Sequence, residues 1–266
     1  IDIRSYLDWA ARSGLDPLQV EYRRFRRYLV ELNASGYTPK TVSRRLSAIR
    51  TFFKYLNVQN VTQLNPAAAT SSPKLGRDLP RKTSDSDIER LLAVCEDDPV
   101  GLRDQAFLEL LYASGARIAE LARLELADVS FSDASIRLFG KGSKERIVPL
   151  YPIALEAVDR YVREGRPALL GDARSNSLFV STRGNAMSAD SLRRVFKQRA
   201  AQAGLDPSLH PHDMRHAFAT DLVEGGADLR SVQEMLGHAS LSTTQVYTHL
   251  SLQHMKDVYK DAHPRS

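Results

Sequence analysis

The sequence contains very little cysteine and no long apolar segment. Its single cysteine, Cys95, cannot form a disulfide within the chain and cannot supply a cysteine cluster for zinc or iron–sulfur. No apolar run approaches the roughly 18 residues that span a bilayer. Residues 1–14 also lack the apolar core of a secretion signal. We therefore expect a cytoplasmic protein with no membrane anchor.

Signatures of nucleotide-binding folds are missing as well. There is no glycine-rich phosphate loop and no alternation of strand and helix patterns, which argues against P-loop and Rossmann architectures. The 266 residues are 42% hydrophobic and 26% charged, as is usual for a globular protein. A disulfide-stapled miniprotein is excluded, because the chain is long enough to form two domains with a substantial core.

Charge is distributed unevenly along the chain. The whole sequence carries 37 basic and 32 acidic residues, a net charge of only +5. Residues 1–82 contain 15 basic and 6 acidic residues, so their net charge is +9, and residues 83–266 carry the remaining −4. An uncompensated basic surface favours a nucleic-acid partner, although many charged helix faces are only solvated surfaces.

The first third of the chain is typical of a small helical bundle. Apolar periodicity predicts helices over residues 3–13, 17–34 and 39–56, the last with Thr38 as N-cap and Pro39 at its first position. The third helix pattern carries cations outside its apolar stripe, and from these we select as candidate DNA-binding residues Lys40, Arg44, Arg45 and Arg50. The second pattern adds Arg23, Arg24, Arg26 and Arg27.

A proline-rich stretch without hydrophobic periodicity follows the bundle. We predict an N-terminal domain over residues 1–69, a linker over 70–81 and a second domain over 82–266. The second domain combines helical patterns with a short strand near 129–131 and a β-hairpin around the turn 140–143. Three of its later helical patterns cover about residues 214–224, 229–236 and 242–248. The fold class is therefore mainly α, with a small three-stranded antiparallel sheet inside the larger domain.

The densest polar cluster is the segment His210-Pro211-His212-Asp213-Met214-Arg215-His216. His212 and His216 stand four residues apart, which imitates a zinc hydrolase motif, but Asp213 is shorter than the usual glutamate base and no third ligand is evident. Alternatively, His212 and Arg215 stand three residues apart and can converge on an anionic oxygen. A third interpretation is a helix with ordinary capping and surface residues.

Other motifs favour the anionic interpretation. Gly115-Ala116-Arg117 precedes a helical pattern, Lys141 lies in the hairpin turn Gly140-Lys141-Gly142, and Leu236-Gly237-His238 is followed nine residues later by Tyr247. This ordered set resembles the tyrosine recombinase family over essentially the whole chain. The segment 236–266, which closes with His263-Pro264-Arg265, is most similar to the Xer-type members.

The resemblance implies a SAM-like helical first domain and assigns a role to each matching residue. It implies catalytic roles for Arg117, Lys141, His212, Arg215 and His238, a nucleophilic role for Tyr247 and a supporting role for Glu120. A phosphodiester repels nucleophiles and a tyrosine with a pKa near 10 is a weak one, so both obstacles call for positive charge. We expect no metal site and no cofactor.

The resemblance also implies partners. These are a double-stranded DNA recombination site and further protomers, so that a homotetramer, or a heterotetramer with a second recombinase, exchanges strands through a Holliday junction in the cytoplasm at the nucleoid. The helical stripe that begins at Leu252 could belong to the core of its own chain or to that of a neighbour. Alternatives are an integrase or excisionase of a mobile element, a type IB topoisomerase-like enzyme, a catalytically silent DNA-binding regulator and the zinc hydrolase.

Overall fold

The computed structural model describes residues 2–73, 83–140, 145–237 and 249–266. The chain divides into two compact units, Ile1–Pro80 and Arg81–Ser266. Most of the linker expected over residues 70–81 lies outside the described residues, as do the turn residues 141–143 and the helix expected over 242–248. The exact domain bounds therefore stay a prediction.

The first unit is a bundle of three helices around an aromatic core. The helices are α1 Asp2–Arg12, α2 Tyr22–Ala34 and α3 Pro39–Val58. Thr38 caps α3 by accepting the Thr41 N–H at 3.3 Å. α2 begins five residues later than expected, because Asp16 accepts the Leu18 N–H at 2.9 Å and forms a turn instead. Burial concentrates in the core residues Tyr6, Trp9, Phe25, Tyr28, Leu46, Ile49 and Phe53.

The second unit is mainly helical, and its sheet confirms the predicted hairpin. Its first helices are α4 Asp85–Ala93, α5 Pro99–Ser114 and α6 Ile118–Leu121. Three antiparallel strands follow in the order β1 Val129–Ser130, β2 Ser135–Phe139 and β3 Glu145–Pro149, with Ile136 opposite Val148 and Leu138 opposite Arg146. Inward apolar side chains of the hairpin join the core of the unit.

Most of the remaining helices pack against α5. The remaining helices are α7 Pro152–Arg160, α8 Arg166–Leu170, α9 Ala189–Gln202, α10 Pro211–Glu224, α11 Leu229–Leu236 and α12 His249–Ala262. A π-helical turn, Tyr161–Gly165, joins α7 to α8. Every residue of α5 from Gly101 to Ser114 is buried except Gln105, which is half-buried. α5 is therefore the central helix of the unit, and its C-terminal end leads into α6.

The C-terminal segment packs on the core of its own chain. Met255 and Tyr259 of α12 are each 2% exposed, and the Tyr259 hydroxyl donates to the carbonyl of Ala113 at 2.9 Å. Arg265 pairs with the buried Glu109 at 3.1 Å. Of the two possibilities for this stripe, the structure shows contact with the core of the same chain.

None of the helices in the described part of the chain is both long enough and apolar enough to cross a membrane.

Candidate active site

Arg117 lies at a sharp turn between α5 and α6. Gly115 ends α5 with φ +54°, in the left-handed region, and a Cβ there would lie 2.4 Å from Cδ1 of Phe218, so glycine is required on both counts. Arg117 is the N-cap residue of α6, and its side chain is 48% exposed. The turn therefore presents a guanidinium group at the surface of the second unit.

Glu120 orients Arg117 from one turn along α6. It accepts the Arg117 main-chain N–H at 2.8 Å on Oε2 and the Arg117 Nη1 group at 3.0 Å on Oε1. Burial alone would raise the pKa of Glu120, but hydrogen bonds from Arg146 and Arg117 and the positive charge of Arg146 outweigh it, and the net pKa lies below its ordinary value. Glu120 is therefore an ionised acceptor at neutral pH.

Arg215 reaches the same region from α10. It is 6% exposed, donates from Nη1 to the Gly115 carbonyl at 2.6 Å and from Nη2 to the Leu236 carbonyl at 2.7 Å. Two of its five N–H groups are used in this way, so donors remain in the fork for an anionic ligand. The structure thus brings together the turn before Arg117, the start of α10 and the end of α11.

A third arginine, Arg146 on β3, lies beside Arg117 and Arg215, and together with Glu120 these residues form an arginine cluster. Arg146 was not among the functional residues that the sequence indicated. It is 3% exposed and forms a bidentate pair with Glu120, with Nη1–Oε1 at 3.0 Å and Nη2–Oε2 at 2.7 Å. Strand alternation could have identified it, because Arg146 shares the inward face with Val148. An inward cation on a short strand requires a partner, and that partner is Glu120.

The cluster carries a surplus of positive charge. Arg117, Arg146 and Arg215 contribute three positive charges and Glu120 contributes one negative charge, which leaves a surplus of two. Burial first, and then repulsion from Arg117 and Arg146, lowers the pKa of Arg215 to about 10. Arg215 stays protonated at neutral pH, so an anionic ligand would relieve its repulsion from the other arginines.

His212 stands one turn before Arg215 on α10, and its side chain is exposed. Asp213 accepts the His210 main-chain N–H at 2.7 Å and so caps the helix. No group of three or more His, Cys, Asp or Glu side chains suited to a metal occurs among the described residues. Asp213 therefore acts as a helix cap, and the contacts of this segment give no support to the zinc hydrolase interpretation.

Lys141, His238 and Tyr247 lie outside the described residues. Residues close to two of them are described: β2 ends at Phe139, two residues before Lys141, and Gly237 ends α11 in the left-handed region with φ +66°. Because Gly237 directly follows the carbonyl that Arg215 binds, the chain continues to His238 from the arginine cluster.

The four candidate DNA-binding residues of α3 differ in their surroundings. Lys40 and Arg44 are exposed, and Arg44 pairs with Asp2. Arg45 is only 8% exposed; its guanidinium group lies 4.0 Å from the ring centroid of Tyr37 and donates to Ser5 at 3.0 Å.

Arg50 binds the segment that follows α3. It donates to the carbonyl of Ala67 at 2.9 Å, to the Ser72 hydroxyl at 3.2 Å and to the Thr70 carbonyl. Within the first unit, Arg45 and Arg50 therefore hold helices and loops together, and the DNA-binding role of the four residues stays a prediction. The arginines of α2, by contrast, are exposed and line a groove of about 510 Å³ together with Trp9.

Comparison with known proteins identifies the family. Residues 81–254 match the phage integrase family, and residues 1–60 match the phage integrase N-terminal SAM-like domain. The chain belongs to the phage integrase family.

Two relatives identify the subgroup of the family to which the chain belongs. The tyrosine recombinase XerC of Pelotomaculum thermopropionicum is 40% identical over 255 residues, which cover 94% of this chain and 83% of that protein. The tyrosine recombinase XerD of Proteus mirabilis is 41% identical over 267 residues, which cover 100% and 85%. The chain is a Xer-type tyrosine recombinase, an enzyme that breaks and rejoins DNA at specific sites.

A solved structure shares the fold. The XerH site-specific recombinase bound to its difH substrate, in a pre-cleavage complex, superposes with a TM-score of 0.70 at 23% identity, over 97% of this chain and 76% of that one. This likeness supports the mainly helical architecture with the small sheet described above.

Proposed function

We propose that Tyr247 cleaves a DNA strand at a phosphate held by Arg117 and Arg215. The observation that carries the proposal is the arginine cluster and its surplus of two positive charges. Arg117 and Arg146 share the Glu120 carboxylate, and Arg215 binds the carbonyl of Gly115 in the turn that carries Arg117. Such a surplus suits a phosphodiester, whose negative charge must be neutralised before a nucleophile can approach. A planar guanidinium fork matches the two non-bridging oxygens in geometry as well as charge.

The proposed reaction is an in-line displacement at phosphorus. The Tyr247 oxygen bonds to phosphorus while the bond from phosphorus to the 5′-oxygen breaks, so that a 3′-phosphotyrosyl enzyme and a 5′-hydroxyl form. Arg117, Arg215 and His238 would stabilise the charge on the non-bridging oxygens in the transition state, each well-placed donor contributing roughly 3 to 4 kcal/mol.

Proton transfer is assigned to two further residues. His212 accepts the phenolic proton as Tyr247 attacks, and the exposure of its side chain beside Arg215 on α10 supports this role. Lys141 protonates the leaving 5′-oxygen. Because the phosphotyrosyl bond conserves the energy of the broken bond, a 5′-hydroxyl of another strand can reverse the step without ATP or a metal ion.

The partners follow from the reaction. Two duplexes and four cleavages require four protomers on a recombination site, alike or paired with a second recombinase, with a Holliday junction as intermediate. Relatives with both the XerC and the XerD name match at nearly equal identity. We propose resolution of chromosome or plasmid dimers, in the cytoplasm at the nucleoid, with integration of a mobile element as the alternative.

In the first unit we propose that Lys40 and Arg44 contact DNA phosphates, together with the exposed arginines of α2. All of them are exposed in the structure, and for the arginines of α2 no ion pair is found within the described part of the chain. Arg45 and Arg50 would support this surface by fixing α3 within the bundle.

A suicide substrate tests the chemistry. The recombination site is first selected from random duplexes with the Tyr247→Phe protein, and a nick is then placed close to the scissile phosphate so that the cleaved end diffuses away. The wild-type protein in EDTA is expected to form a covalent protein–DNA band. The Tyr247→Phe protein should not, while Tyr22→Phe, an exposed tyrosine of the first unit, should behave as the wild type.

The outcomes separate the alternatives. A covalent band that persists in Tyr247→Phe, or that needs a divalent ion, would overturn the proposal. Relaxation of supercoiled plasmid by monomers without sequence dependence would indicate topoisomerase chemistry instead.

A further inference from the structure

Arg146 has an unusually complete set of contacts for an arginine with no assigned role. Besides its bidentate pair with Glu120, it donates from Nε to the carbonyl of Met235 at 2.7 Å. All three nitrogens of the guanidinium group are therefore engaged, in a side chain that is 3% exposed. Lysine could not reproduce this arrangement, because it offers a single charged nitrogen instead of a planar fork.

These contacts connect Arg146 to Arg117 and Arg215, which form the proposed phosphate clamp. Glu120 is the carboxylate that binds the main chain and side chain of Arg117. Met235 directly precedes Leu236, whose carbonyl accepts a hydrogen bond from Arg215. Arg146 thus binds Glu120, which is the partner of Arg117. It also binds Met235, the residue before the one that Arg215 binds.

The end of α11 fits closely against the Arg146 side chain. A Cβ at Gly237 would lie 3.1 Å from both Cδ and Nη1 of Arg146, and the residue also has a left-handed φ of +66°. The backbone of Gly237 therefore passes close to the Arg146 side chain, and a side chain at position 237 would crowd it. Replacing Arg146 would remove its hydrogen bond to the Met235 carbonyl and its packing against the end of α11.

The arginine cluster around Glu120 differs in net charge from a second buried arginine network of the same unit, which has only structural contacts. There, Arg103 and Arg199 share Asp104, and Arg199 also pairs with Glu96, so two cations meet two carboxylates. In the arginine cluster, Arg117 and Arg146 share the Glu120 carboxylate, and Arg215 adds a third positive charge whose hydrogen bonds go to main-chain carbonyls. A network that only stabilises a fold has no need of surplus charge, since buried charges are costly unless they are paired.

We propose that Arg146 is a positioning residue for DNA cleavage, which holds Glu120 and the end of α11 so that Arg117 and Arg215 face the same phosphate. The inference rests on the proposed function and extends it to a residue outside the motif set. Arg146 also keeps Glu120 from neutralising Arg117 completely, because the carboxylate is shared between the two arginines.

The test compares Arg146→Met and Arg146→Lys with a matched control, Arg166→Met. Arg166 is 7% exposed and donates to the carbonyls of Ser175 and Ser177, so it is a buried arginine of the same unit outside the cluster. Each protein is assayed for duplex binding and for covalent complex formation. Two suicide substrates are used: one with the natural phosphate and one with a methylphosphonate at the scissile position, which lacks the negative charge.

The readout is the ratio of the cleavage rates on the two substrates, which does not depend on the fraction of folded protein. On the phosphate, Arg146→Met is expected to cleave roughly 10- to 100-fold more slowly than the wild type, which is less than the loss expected for a direct donor. On the methylphosphonate substrate, the loss of cleavage rate of Arg146→Met relative to the wild type should be several-fold smaller. Arg166→Met should lose the same factor on both substrates, and Arg146→Lys should fall between Arg146→Met and the wild type.

Three results would overturn the inference: Arg146→Met cleaves the phosphate within about twofold of the wild type, it loses equally on both substrates, or Arg146→Lys cleaves at the wild-type rate. The third would show that charge without the fork is sufficient. Failure of the wild type to form a Tyr247-dependent covalent complex would instead contradict the proposed function. The two failures are therefore distinguishable in one experiment.

Discussion

Arg215 donates a hydrogen bond from Nη1 to the main-chain carbonyl of Gly115 at 2.6 Å, across 100 residues of sequence. Gly115 stands two residues before Arg117, so one arginine of the clamp fixes the turn that carries the other. The two arginines consequently differ in kind: Arg215 is buried and supports the fold, whereas Arg117 is half-exposed and supports it little.

This difference predicts separate effects of alanine substitutions. Arg117→Ala should reduce cleavage roughly 10²- to 10³-fold and change the free energy of unfolding by less than about 1 kcal/mol, since its ion pair is partly solvated. Arg215→Ala should reduce cleavage at least as much and also destabilise the protein by roughly 2 to 4 kcal/mol, because two buried carbonyls lose their donor. Urea unfolding and the suicide substrate measure the two effects. Equal stability of the two variants would contradict the assignment.

Gly115 offers a second prediction. Gly115→Ala combines a left-handed φ, which costs an L-residue about 1 to 2 kcal/mol, with a Cβ placed 2.4 Å from the Phe218 ring. We expect a loss of roughly 3 kcal/mol or more in unfolding free energy. Gly204→Ala is the matched control, since Gly204 has φ +66° and no heavy atom within 4 Å of the added Cβ. The same loss in both variants would show that the Phe218 contact has no effect.

Substitutions of the α3 cations should differ in how they change the salt dependence of DNA affinity. Lys40→Ala and Arg44→Ala are each expected to reduce the slope of log affinity against log salt by about 1, because each removes one phosphate contact. Arg45→Ala should leave the slope unchanged and lower the stability, since Arg45 stacks on Tyr37 and binds Ser5. Fluorescence anisotropy with labelled duplex between 50 and 200 mM salt measures the slope. A reduced slope for Arg45→Ala would mean that the residue leaves its pocket to bind DNA.

His263 predicts a pH dependence of stability. It is 3% exposed, stacks on Tyr259 with ring centroids 4.8 Å apart, and has an Nε2 atom for which no partner is found within the described part of the chain. Burial first, and then the charge of Arg265, lowers its pKa to about 3. An unfolded histidine titrates near 6.5, so the unfolded state binds more protons between these values.

The stability that His263 contributes is therefore complete above about pH 6.5 and falls by about 1.4 kcal/mol per pH unit as the pH decreases below it. His263→Phe, which keeps the aromatic packing and removes the titration, should become progressively more stable than the wild type between pH 6 and 4. Urea unfolding at pH 7, 6, 5 and 4 tests this, with the exposed His216→Gln as control. A constant difference between His263→Phe and the wild type would refute it.

Local pattern was sufficient to predict most of the helices and the β-hairpin. The apolar spacing indicated α11 with its exact bounds, 229–236, and the alternating residues of the hairpin indicated the sheet. α10 begins at Pro211, three residues before the first apolar position that the periodicity detects, because His210 and Asp213 form its cap. Caps of this kind depend on polar residues that a search for apolar periodicity passes over.

Long-range partners account for what the sequence did not predict. Arg146 has its role through Glu120, 26 residues earlier, and Met235, 89 residues later. Arg45 looks like its exposed neighbours on α3, and only the position of Ser5 on α1 shows that it faces the bundle. A cation's surroundings are set by tertiary packing, which the spacing of residues along one helix does not specify.

The buried arginines have a practical consequence for handling the protein. Among its described residues, the second unit holds five arginines that are at most 7% exposed, and each is bound to a carboxylate or a main-chain carbonyl; they are Arg103, Arg146, Arg166, Arg199 and Arg215. Salt screens such interior contacts far less than it screens contacts between exposed cations and phosphates. A concentrated salt wash during purification should therefore strip co-purifying DNA from the recombinase while this unit keeps its native fold.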